Sequence, residues 1–139
     1  MSVTLTWDAP DQSIIRLIYG RNWTPKDFQT AVGQIASTLD SLQHSVHIII
    51  DQEQADVPPG IFLTHAKSLC TITEHPNVGA VVVVGASDAA RELCEMAANR
   101  HTFCHNLRFA PMLDDAYNIL YHLDFVASVN NLLPDDWPR

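Results

Sequence analysis

Cysteine is scarce in this chain. Cys70, Cys94 and Cys104 make an odd number with no C-x-x-C pair, so no disulfide framework follows and reduced thiols are the simplest assignment. Basic charge is short as well: 8 Lys and Arg stand against 16 Asp and Glu, leaving a formal charge of −8. That balance repels a phosphate backbone and excludes nucleic acid as the expected partner. No apolar run approaches the ~20 residues of a membrane span. The opening MSVTLTWDAPDQ lacks a basic segment followed by an apolar one, and a cytoplasmic protein is expected. With 5 Gly and 8 Pro, collagen-like and low-complexity chains are also excluded. What is present is ordinary globular material: 139 residues, 47% apolar, enough for one domain that hides about two thirds of its unfolded surface without metal or disulfide.

Period-2 and period-3.6 patterns alternate along the chain. Val3, Leu5 and Trp7 alternate with Thr4 and Thr6, and after DAPDQ the run Ile14 to Tyr19 is again apolar, which predicts a β-hairpin. Thr24 can cap and Pro25 suits a first helical position. Phe28, Ala31, Val32, Ile35, Ala36, Leu39 and Leu42 then recur at helical spacing, predicting a helix over about 25–42. Val46 to Ile50 reads as a buried strand ending at Asp51, and Val78 to Val84 as a second. Between them Ile61, Leu69, Cys70 and Ile72 predict a helix that closes near His75-Pro76. Ser87 caps a third helix from Asp88 to about Arg100. Leu107 to Phe109 is a short strand, and Pro111 opens a fourth helix with Leu113, Ala116, Tyr117, Leu120 and Leu123 on its stripe. From Ser128 the pattern decays, so residues 1–126 are expected to form the domain and 127–139 an acidic tail. The order ββαβαβαβα with right-handed crossovers makes a single-domain α/β fold with a mixed sheet.

The hairpin start, the first helix, the strand Val46 to Ile50 ending in Asp51, and the closing PMLDDAYNIL resemble the STAS family, the anti-sigma-factor antagonists and related sulfate-transporter domains. The resemblance spans about Val3 to Val126. It implies a non-catalytic regulatory module that binds a protein through the loop Gln52 to Gly60 and the following helix. Asp51, Asp56, Pro58, Pro59, Gly60 and Ile61 are the implied contact residues. Sporulation-type members carry Asp-Ser-Ser-Gly or Asp-Ser-Thr-Gly at the helix start, where a kinase phosphorylates the hydroxyl. Here Asp56-Val57-Pro58-Pro59-Gly60 keeps an acid and a glycine but has no hydroxyl, so constitutive binding or another kind of switch is expected.

The residues by themselves leave an alternative, a small-molecule (nucleotide or lipid) binder or small enzyme with its pocket at the strand carboxyl ends. VVVVGASDAA places Gly85 and Ser87 at a strand-to-helix turn where backbone amides can hold a ligand. It lacks the other glycines of G-x-G-x-x-G and the lysine of a P-loop, and Asp88 adds negative charge. HTFCH (residues 101–105) is rich in soft ligands but matches no zinc-finger spacing. His44 and His47 read as a loop and a strand residue. No G-x-S-x-G elbow is present, and Asp51 and Glu53 form a polar loop pair. No catalytic residue, metal or cofactor is assigned. Trp23 is expected to staple the first helix to the sheet. Trp137 in the tail can fold back, reach a second copy or be disordered, so a homodimer stays open beside a protein partner of another kind.

Overall fold

Residues 3–8, 10–99 and 107–132 are described in a computed structural model. They form β1 (Val3–Trp7), β2 (Ile14–Tyr19), α1 (Pro25–Ser41), β3 (Val46–Asp51), α2 (Pro59–Thr73), β4 (Val78–Val84), α3 (Asp88–Asn99), β5 (Leu107–Ala110) and α4 (Leu113–Leu132). This is the expected α/β order, with its N-terminal hairpin. The five strands lie side by side in chain order, β1 antiparallel to β2 and the others parallel.

Sequential order has a geometric consequence. Every right-handed crossover steps in the same direction across the sheet, so α1, α2 and α3 pack on one face. Strand alternation supplies that face with Ile15, Leu17, Tyr19, Ile48, Ile50, Val81 and Val83, against Phe28, Ile35 and Leu39 of α1, Phe62 and Leu69 of α2, and Ala90 and Cys94 of α3. The intervening residues Ile14, Ile49, Ala80, Val82 and Val84 face α4, which covers them with Ala116 and Leu120. One helix thus does on one side what three do on the other.

Local chemistry fixes the helix ends. Thr24 and Asp27 form a reciprocal capping box on α1, Thr24 Oγ1 accepting from the Asp27 N–H at 3.2 Å and Asp27 Oδ2 from the Thr24 N–H at 3.1 Å. At the other end of α1, the Asn77 side-chain amide donates to the carbonyls of Leu39 and Leu42, both at 2.9 Å. α4 continues past Val126 to Leu132, through residues expected to begin a tail. Its outward side carries Tyr121, Phe125 and Val129, all exposed. With apolar residues on both sides, amphipathic periodicity fades there although the helix continues.

Two expectations on cysteine and membranes can be placed. Cys94 is a free, buried thiol, whereas Cys70 is disulfide-bonded. The assignment of all thiols as reduced is therefore corrected at Cys70. Among the described residues no helix is long and apolar enough to cross a membrane. Trp137 lies outside the described residues.

Candidate functional site

The carboxyl ends of the parallel strands carry the β3–α2 loop, residues 52–58. Its backbone is tied down on three sides. The Gln52 N–H donates to the Val84 carbonyl (2.9 Å), the Ala55 N–H to the Gln52 carbonyl (3.2 Å), and the Trp23 indole Nε1 to the Asp56 carbonyl (3.3 Å). Gly85, with φ +79°, lets the loop approach the β4–α3 turn, since a Cβ there would lie 2.9 Å from Glu53 Cα. Glu53 Oε1 accepts from the Leu113 N–H at 2.9 Å, which places an anion at the N-terminus of α4.

Beneath the loop is a packed set of rings. The His65 ring stacks on Phe28, with centroids 3.9 Å apart and planes 8° from parallel, and meets Trp23 edge-on at 5.3 Å. Its Nδ1 hydrogen-bonds the Tyr19 hydroxyl at 3.3 Å. Burial drives the His65 pKa down to about 4, so the imidazole is neutral at physiological pH. Burial also pushes the Tyr19 hydroxyl well above its ordinary value, an effect the adjoining Gln52 amide opposes. Gln52 is itself buried, with no hydrogen-bond partner for Nε2 among the described residues. Trp23 does staple the start of α1 to the sheet through Tyr19, and it also meets His65 of α2.

The sequence-derived site residues divide into two groups. Asp56, Pro58, Gly60 and Ile61 are exposed on the loop and the first turn of α2, and Pro59 opens that helix. Asp51 faces the other side of the sheet and is buried. Its carboxylate accepts from the Glu53 N–H (3.1 Å) and sits 3.6 Å from Arg16 Nη1. Arg16 Nε lies 3.1 Å from Asp8 Oδ2, close but not aligned for a hydrogen bond, and the Tyr117 hydroxyl donates to the same Asp8 oxygen. Burial, then the hydrogen bond and charge of Asp8, raise the Tyr117 pKa to about 12. The Asp51 side chain therefore belongs to a network that joins α4 to the hairpin.

Gly85 and Ser87 lie across a cleft from Asp56. Ser87 caps α3, its Oγ accepting from the Ala90 N–H at 3.1 Å. The cleft, also lined by Gln52, has a volume of about 180 Å³, smaller than the several hundred Å³ usual for small-molecule sites. The sequential strand order also provides no switch point, the place where loops of an open α/β sheet diverge to make a ligand crevice.

His47 was legible as a strand residue only. Its Nδ1 accepts from the Ala80 N–H (3.0 Å) and its Nε2–H donates to Asp124 Oδ1 (2.8 Å). Although Ser13 and Ser45 line the same groove, neither imidazole nitrogen keeps a lone pair for a serine proton, so this set is not a hydrolytic triad. Gly79 sits against the ring, where a Cβ would come within 2.6 Å. His44 Nε2 pairs with the Gln12 carbonyl, and His75 Nε2 with Asp40. Among the described residues no group of three or more His, Cys, Asp or Glu could hold a metal ion, and HTFCH lies outside them. Neither His65 nor Asn77 carries a sequence signal of its role, because each is one polar residue whose partners are brought to it by the fold. No protein-family model matches the chain, and no curated protein matches it.

Proposed function

We propose that the chain is a non-catalytic, STAS-like regulatory module that binds a protein partner through the loop 52–60 and the start of α2. The carrying observation is the combination of exposure and restraint in that loop. Asp56, Pro58, Gly60 and Ile61 are exposed, while the backbone behind them is held by Val84, Trp23 and the close approach of Gly85. A surface ordered before binding loses less entropy on docking than a mobile one. Its exposed residues combine the apolar Pro58 and Ile61 with the acids Glu53 and Asp56, so the matching partner offers apolar contact together with basic groups.

The small cleft volume and the absence of a switch point favour this reading over a ligand pocket at the same end. Residues 52–60 contain no Ser, Thr or Tyr. The nearest hydroxyl on α2, Thr64, is spent on the Gly60 carbonyl at 3.3 Å. The proposed binding is therefore independent of phosphorylation in the loop.

The test is affinity capture from the native cell extract with wild-type bait, with Pro58→Lys/Ile61→Asp bait, and with Phe125→Asp bait altered on the outward side of α4. All three are first checked for equal thermal midpoints. A stoichiometric protein lost only with the loop variant supports the proposal. Retention of the same protein by the loop variant, or phosphate mapped to residues 52–60, refutes it.

A further inference from the structure

A second concavity lies at the opposite end of the sheet from the loop. Between the amino ends of the parallel strands and the C-terminal half of α4 is a groove of about 460 Å³, within the range of small-molecule sites. We infer that this groove binds a small monocarboxylate with an apolar body, its carboxylate held by Arg108.

Arg108 stands opposite Val82 in the β4–β5 register, so alternation turns it to the α4 face, where it lines the groove. No carboxylate among the described residues lies within ion-pair distance of it. Arg91, the cation on a smaller cavity, is by contrast flanked by Asp88 and Glu95. An unpaired guanidinium on a concave wall presents the planar fork that a carboxylate meets with two parallel hydrogen bonds. Ser13 and Ser45 add hydroxyls on the same lining, and Leu123 and Ala127 provide an apolar wall.

The charge of the ligand follows from the same surroundings. Asp124 stands on the rim with its carboxylate bound to His47, and the chain carries −8 overall. One cation beside one fixed anion suits a single negative charge and disfavours a phosphate dianion. Both His47 ring nitrogens are engaged, Nδ1 by the Ala80 N–H and Nε2 by Asp124, so the imidazole offers the ligand no free lone pair, and the inferred role is binding. Because the groove shares no lining residue with the loop 52–60, this inference stands or falls apart from the partner-binding proposal.

The probe is benzoate, with benzamide as its neutral counterpart and phenyl phosphate as the dianion, followed by amide chemical-shift titration of the full chain. Benzoate is expected to move the Ala80 and Arg108 signals with saturable, millimolar affinity. Benzamide and phenyl phosphate are expected to bind at least about tenfold more weakly, as expected when a charge-assisted pair is lost or opposed. Arg108→Gln should weaken benzoate by a similar factor. Ala127→Trp, which fills the groove and leaves Arg108 in place, should abolish the shifts. Equal shifts with benzamide, tighter binding of phenyl phosphate, unchanged binding by Arg108→Gln, or no saturable shift at all would each overturn the inference.

Discussion

At the scale of single residues, the most consequential side chain is a histidine that carries no charge. His65 is 4% exposed, stacked on Phe28 and bonded to Tyr19, and its pKa in the folded chain is about 4 against an ordinary 6.5. As pH falls the unfolded chain therefore takes up the proton first, and folding loses free energy. The contribution of His65 is complete above about pH 6.5 and disappears between there and about pH 4, a loss of roughly 3 kcal/mol at the acid end. Urea midpoints measured across this window should fall in the wild type and fall less in His65→Phe, which keeps a ring against Phe28 and removes the titration. The same acid slope in both proteins would assign it to other groups. Gly79 shows residue-scale constraint of another kind, since the imidazole of His47 occupies the space a methyl group would need.

Elements were far more legible than the contacts between them. Alternation in VTLTW and the β-branched runs at 46–50 and 78–84 mark strands because each side chain must face one side of a sheet. The apolar spacing in 28–42 marks α1 because one stripe must face the core. The C-terminal half of α4 escaped this logic, since Tyr121, Phe125 and Val129 are apolar yet turned outward. Pairings escaped it altogether: His47 meets Asp124 from 77 positions away and Tyr117 meets Asp8 from 109. Such distances are closed by sheet order, which no local pattern encodes. The loop 52–60 was marked by its prolines and acids, but the burial of Asp51 on the other face follows from strand parity at the end of β3. Asn77 shows how one element finishes another. It donates to the Leu42 carbonyl beyond the last turn of α1 and adds a second bond to the Leu39 carbonyl, which already takes the Leu42 N–H at 3.2 Å. Asn77→Ala is expected to cost about 1–2 kcal/mol in urea unfolding. Asn77→Asp, which replaces donors by an acceptor and adds charge at the negative end of the helix dipole, should cost more. A milder effect of Asp than of Ala would remove the donated bonds from the account.

For the whole molecule, the unequal dressing of the two sheet faces governs where it opens. Three helices seal one face, whereas the other depends on α4, held by Ala116 and Leu120 in the core and by the polar ties Leu113 to Glu53, Tyr117 to Asp8 and Asp124 to His47. An element with few deep anchors opens before the core it covers. Native-state hydrogen exchange should therefore show α4 amides opening at lower free energy than those of β3, β4 and α1. Leu120 is fully buried, and Leu120→Ala should remove about 2–5 kcal/mol. The decisive feature is the distribution of that loss: undocking of α4 accelerates its own exchange well beyond that of α1. Equal acceleration of α1 and α4 would show that the two faces unfold only together, and that α4 is as integral to the core as the three helices opposite it.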